Sequence, residues 1–149
     1  MAIHIDTARP DDQAAIESLL AQNDLPIQDL PTGLPNFVIA KENETLVGVA
    51  GLESFGSVGL LRSVAVDPAH QGKGIAARLL DRLLDTARAA NLQDIYLITT
   101  TANGYFTRYD FAPISRELVP DPIQQTQQFS GLCPSSAIVM KRALNSQPA

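Results

Sequence analysis

At 149 residues, 45% hydrophobic and 18% charged, the chain has the size and balance of one globular domain and none of the apolar depletion that keeps a chain disordered. Its net charge of -5, from 16 acidic and 11 basic residues, opposes the non-specific attraction to a phosphate backbone on which nucleic-acid binders rely. A single cysteine, Cys133, leaves no internal disulfide and no cysteine-based zinc cluster, and no apolar run approaches the roughly 18 residues needed to span a bilayer.

Ile3 and Ile5 alternate with His4 and Asp6 as a half-buried strand does. Pro10-Asp11-Asp12 then starts a helix, expected over about residues 11–22, with acidic residues at its positive end. Ile16, Leu19 and Leu20 share one face of it, and Asn23 and Pro26 stop it. Residues 24–36 hold Pro26, Pro31, Gly33 and Pro35, a loop or broken helix whose role as lid or as plain connection stays open.

Phe37–Ala40, Thr45–Leu52 and Gly59–Val66 read as an antiparallel meander, with turn signals at Glu42-Asn43-Glu44 and Phe55-Gly56-Ser57. Leu79, Leu80, Leu83, Leu84 and Ala87 keep helical spacing, with Arg78, Asp81, Arg82, Asp85 and Arg88 on the opposite face. Ile95–Thr99 predicts a strand and residues 102–109 a short helix, a βα unit that suggests parallel pairing across the long helix. The polar stretch 120–130 is ambiguous, Ala137–Met140 predicts a last strand, and residues 145–149 are expected to fray.

The informative segment runs from Val64 to Ala76, out of a strand, through a turn and into the long helix. Gly72 and Gly74 carry no side chain to block a ligand, and the first turn of a helix offers free N–H groups and a dipole that favours an anion. A pyrophosphate fits such a place, and so does an ordinary tight turn. The dinucleotide fingerprint asks for three glycines, whereas this turn supplies Gly72 and Gly74 with Arg78 beyond them. A Walker loop is also missing, because Lys73 is not preceded by G-x-x-x-x-G.

Gln71-Gly72-Lys73-Gly74-Ile75-Ala76 is similar to the Q/R-x-x-G-x-G/A signature of the GNAT superfamily of N-acetyltransferases, and the order of elements resembles that superfamily over residues 2–142. The resemblance implies an α+β fold, an α/β three-layer sandwich with a mixed, mostly antiparallel sheet of about six to seven strands flanked by helices. It also implies that strand Leu60–Val66 and strand Ile95–Thr99 splay apart around acetyl-CoA, the expected co-substrate. Gln71, Gly72, Lys73, Gly74, Ile75 and Ala76 would hold the pyrophosphate, and the backbone of Val64, Ala65 and Val66 would follow the pantetheine arm. The Val66 N–H is then a candidate donor to the thioester oxygen. In Leu60-Leu61-Arg62-Ser63-Val64, Tyr96 to Ala102, and Phe129 with Cys133-Pro134-Ser135-Ser136-Ala137, the chain looks like the arsenic-resistance branch of the superfamily, which implies detoxification of a small amine.

An amine attacks only when unprotonated, so a carboxylate near the thioester has to accept its proton; Glu53, at the end of its strand, is the candidate, against an ordinary surface glutamate. Many relatives place a proton-donating tyrosine in A-x-x-F-Y-x-x-x-G-F. Here that register gives Ala102 to Phe111, with Phe106 at the tyrosine position among the cofactor contacts and Asp110 at the glycine. Tyr105 is the substitute candidate, although it points about 100° away on an ideal helix. Thr99 stands where relatives often carry an asparagine that touches the pantetheine.

Arg62, with Ser63 beside it, could pair with an acidic group of the acceptor, strand alternation turning it toward the site; a salt bridge to Glu53 is the competing reading. Cys133 is expected to be a packed thiol or one that lines the acceptor site rather than a nucleophile, because neither histidine, His4 or His70, lies near it in sequence to activate it. His70 is expected to be exposed. The sum is one domain over residues 1–149, cytoplasmic, monomer or homodimer, acetylating a small-molecule amine with no metal, no nucleic acid and no membrane partner. The alternative is an acyl-CoA-binding module without turnover.

Overall fold

The computed structural model describes residues 3–23, 27, 36–99, 106–126 and 137–144. The strands are β1 (Ile3–Thr7), β2 (Phe37–Glu42), β3 (Thr45–Phe55), β4 (Val58–Val66), β5 (Asp94–Thr99), β6 (Ala112–Pro113) and β7 (Ile138–Ala143). They form a seven-stranded sheet in the order β1-β2-β3-β4-β5-β7-β6. The helices are α1 (Gln13–Gln22), α2 (Ile75–Ala89) and α3 (Asp121–Gln124). Two compact units divide the chain, Met1–Glu53 with Arg62–Ala87, and Ser54–Leu61 with Arg88–Ala149. No helix among the described residues is long and apolar enough to cross a membrane.

In the first unit β1 pairs antiparallel with β2 (Ile5↔Ala40) and β2 with β3 (Phe37↔Gly51), through a two-residue turn in which Asn43 takes φ 59°. Phe37 to Ala40 and Val47 to Leu52 are buried without alternation, because helices cover both faces of these strands. Phe37, Ile39 and Val49 pack with Ile16, Leu19 and Leu20 of α1. On the other face α2 comes so close that a Cβ on Gly48 would stand 3.0 Å from Ile75 and 3.1 Å from Leu79. The inner faces of both helices are those expected, Ile16, Leu19 and Leu20 in α1 and Leu79, Leu80, Leu83, Leu84 and Ala87 in α2. Asn23 ends α1 as expected, its side-chain amide donating to the Leu19 carbonyl at 3.0 Å.

Gly51 lies under the Phe37 ring, where any Cβ would collide with three ring carbons. Gly51→Ala is therefore expected to destabilise the chain by about 2 kcal/mol, since a fully buried ring has nowhere to move. An unchanged urea midpoint would show that the ring relaxes freely.

In the second unit β4 opens parallel to β5 over Val58↔Asp94, Gly59↔Ile95 and Leu60↔Tyr96, which is the expected parallel pairing. Both strands run on past that ladder, β4 to Val66 and β5 to Thr99. β7 pairs antiparallel with β5 (Leu97↔Met140) and with the two-residue edge strand β6, where Pro113 sits as prolines in sheets do. The ambiguous stretch contains α3, whose Ile123 is fully buried against Leu60, Tyr96, Val119 and Val139. One apolar anchor in a four-residue helix produces no periodicity to read.

Candidate functional site

In a regular strand Arg62, Val64 and Val66 would share one face. Ser63 breaks that rule: it takes φ 58° inside β4, the left-handed region that a residue with a Cβ enters only at a local cost. Arg62 and Ala65, three positions apart, consequently both join the face that carries Phe37. The alternation expected for Arg62 is thus corrected by a kink of the kind a β-bulge introduces.

The Arg62 side chain is only 1% exposed. Its charge is compensated by the Glu53 carboxylate at 3.6 Å, by the face of the Phe37 ring 6.0 Å from the guanidinium carbon, and by Ser63 Oγ, to which its Nε–H donates at 3.0 Å. The salt bridge foreseen as one reading of Arg62 is therefore present. Glu53 keeps 23% of its side chain exposed while its carboxylate stands 3.6 Å from the guanidinium.

Beyond β4 the chain makes a 3-10 turn (Pro68–His70), extends at Gln71, and enters α2 through Gly72 at φ 84° and Gly74 at φ 80°. The start of the turn is tied down by the Asp67 N–H on the Val47 carbonyl at 2.8 Å. The Gln71 amide folds back to donate to the Val66 carbonyl at 3.3 Å, leaving the loop backbone as the outward surface. The Arg78 N–H bonds to the Gly74 carbonyl at 3.2 Å, so the N–H groups of Ile75 to Ala77, preceding it in the first turn, have no intrahelical acceptor.

Among the described residues, a Cβ placed on Gly72 or Gly74 meets no atom within 4 Å. Packing therefore does not demand these glycines; their left-handed backbone does. Amides at a helix start, Lys73 exposed among them and no acidic side chain from Gln71 to Ala76 make a cradle that fits a diphosphate.

His70 is not exposed as expected. Its side chain is 16% exposed and lies between two carboxylates, Nδ1 at 2.7 Å from Asp67 Oδ2 and Nε2 at 2.9 Å from Glu42 Oε1. The Glu42 contact, then the Asp67 contact, raises the His70 pKa, and the same bond to His70 lowers that of Glu42. Sequence reasoning missed this cluster. The three-residue spacing of Asp67 and His70 was a signal, but Glu42 stands 28 positions before His70 and announces nothing.

In the second unit Thr99 is half-buried at the end of β5. Phe106 is buried and meets Phe111 edge-on, ring centroids 6.0 Å apart, so the position of the relatives' tyrosine holds a packed apolar ring. Of the helix expected over residues 102–109, the described part is a helical turn from Phe106, its carbonyl accepting the Tyr109 N–H at 2.9 Å. Asp110 takes φ 67°, the left-handed backbone that glycine adopts most freely. Tyr105, Cys133, the tail 145–149 and, but for Ile27 and Asn36, the 24–36 segment lie outside the described residues.

A meander feeding a glycine turn and an amphipathic helix, with β4 opening parallel to β5, is the fold of the N-acetyltransferases. The chain belongs to the Acetyltransferase (GNAT) family, whose pattern matches residues 5–109. Over 70 residues it is 40% identical to an amino-acid acetyltransferase of Mycobacterium tuberculosis, covering 46% of this chain and 40% of that protein. Over 72 residues it is 40% identical to the N-alpha-acetyltransferase RimI of the same organism, covering 46% of this chain and 44% of that protein. The chain thus spans less than half the length of these curated relatives. The structure of N-acetylglutamate synthase from Neisseria gonorrhoeae, complexed with coenzyme A and N-acetyl-glutamate, superposes with a TM-score of 0.83 at 22% identity, covering 98% of this chain and 36% of that one.

Proposed function

We propose that the chain is a single acetyl-CoA-dependent N-acetyltransferase domain over residues 1–149 that acetylates the amine of a small, amino-acid-like molecule by direct attack in a ternary complex. The observation that carries this reading is the open cradle at Gly72 and Gly74 on the start of α2. When bound, acetyl-CoA supplies an acetyl group already activated as a thioester. The Gln71 to Ala76 backbone and Lys73 hold its diphosphate, and the backbone of Val64 to Val66, with Thr99 and Phe106, borders its pantetheine arm. The Val66 N–H would donate to the thioester oxygen as that oxygen gains negative charge. Glu53 takes the proton of the attacking amine; the new C–N bond replaces the C–S bond, and Tyr105 returns a proton to the leaving sulfur.

Arg62 acts on the acceptor through Glu53, which it orients, while Ser63 and Cys133 line the acceptor side. The similarity to an amino-acid acetyltransferase supports an amino-acid-like acceptor, and the resemblance to the arsenic-resistance branch adds organoarsenical amines as the next class. A second reading, an acyl-CoA-binding module without turnover, draws on Phe106, which brings no hydroxyl to the tyrosine position.

Mixing the protein with acetyl-CoA and a panel of amino acids, organoarsenical amines and peptide N-termini, while following free thiol, separates these readings. Thiol release that rises with one class is the expected result. Tight coenzyme binding with no release for any class would establish the module instead.

A further inference from the structure

We infer that His70 is a positioning residue for the coenzyme loop: as an imidazolium it clamps the turn that leads into Gln71–Ala76 onto the end of β2, and the loop loosens when that proton leaves. The inference rests on the proposal that this loop holds the coenzyme diphosphate.

The geometry demands the charged ring. Both ring nitrogens stand at hydrogen-bond distance from carboxylates, 2.7 Å to Asp67 and 2.9 Å to Glu42. A neutral imidazole has one N–H, so one contact would then set a nitrogen lone pair against a carboxylate oxygen. With both nitrogens protonated, each contact is a charge-assisted hydrogen bond.

The position gives the clamp its leverage. His70 immediately precedes Gln71, and the two glycines that follow have left-handed backbones with no packing around a would-be side chain to hold them. The turn is fixed at its start by the Asp67 N–H and at its end by α2. Within it, His70 reaches out of the turn to another strand, since Glu42 ends β2.

The charged groups acting on His70 are Glu42 from β2, Asp67 from the end of β4 and Lys73 from the loop itself. Glu42 and Asp67 favour the imidazolium, while burial and Lys73 oppose it, and the balance raises the pKa above the ordinary 6.5. The clamp is therefore complete below about pH 6.5 and is lost as pH rises through the raised value.

The test is calorimetric affinity for dephospho-coenzyme A between about pH 6 and pH 8.5, a ligand that lacks the phosphate monoester whose own ionisation near 6 would intrude. Wild-type affinity is expected to fall by about fivefold or more across that window, with the midpoint of the His70 imidazole titration followed by NMR. His70→Gln should bind about fivefold more weakly than the low-pH wild type and show no pH dependence. Glu42→Gln should move the midpoint to lower pH, and it carries the test together with Asp67→Asn should His70→Gln not fold. A wild-type affinity that stays flat while the imidazole titrates, or a His70→Gln variant that keeps the wild-type pH dependence, overturns the clamp. Absence of binding at every pH in the wild type overturns the coenzyme site itself, and the clamp with it.

Discussion

Gly74→Glu is expected to abolish coenzyme binding while the protein stays folded. The fold tolerates the side chain because a Cβ at this position meets nothing within 4 Å; the cost is the backbone at φ 80°, about 1–2 kcal/mol for a residue with a Cβ. The ligand does not tolerate it. A carboxylate about 4 Å from a phosphate oxygen at an effective dielectric of 20 opposes binding by about 4 kcal/mol, roughly a thousandfold in Kd. Gly74→Ala separates the two effects, carrying the backbone cost without the charge. Calorimetry should show the glutamate variant partly rescued by added salt, which screens the repulsion but not the steric clash. An unchanged Kd in Gly74→Glu would remove the diphosphate from this loop.

Glu53→Gln should lower both stability and turnover, for separable reasons. The substitution removes the anion 3.6 Å from a guanidinium that is 1% exposed, weakening the charge compensation of a buried cation at a cost of about 3 kcal/mol. For a chain of 149 residues that corresponds to a fall in Tm of roughly 9 °C. Loss of the proton acceptor should slow turnover about a hundredfold, most strongly below the pKa of the acceptor amine. Adding Arg62→Met removes the buried charge itself, so the double variant should regain most of the stability and none of the turnover. Turnover that returns with stability would make Glu53 a scaffold residue only.

What was readable along the chain was whatever repeats locally. The i, i+3, i+4 stripe of α2 and the apolar runs of β2, β3, β4 and β5 were legible because helix and strand periods are short and each residue type reports its own burial. The cradle was legible too, as left-handed backbone at a helix start is nearly reserved for glycine, so Gly72 and Gly74 mark it by themselves. Residues 112–124 were not: β6 has two residues and α3 has four, and neither is long enough to repeat its period.

Chemistry that depends on distant partners stayed hidden until the chain was folded. Ser63 is an ordinary strand residue in one dimension, yet its φ of 58° brings Arg62 and Ala65, which alternation would set on opposite faces, to one face. Arg62 could have met an acceptor or Glu53, and only the folded chain shows the guanidinium buried over the Phe37 ring and beside the carboxylate. His70 looked like a surface residue because Glu42 reaches it only through the pairing of β2 with β3 and the return of β4. Local backbone preference is written residue by residue, so composition and spacing disclosed the strands, the helices and the glycine cradle. The electrostatic state of a side chain depends on which charges the fold brings within a few ångströms, and that information exists only in three dimensions.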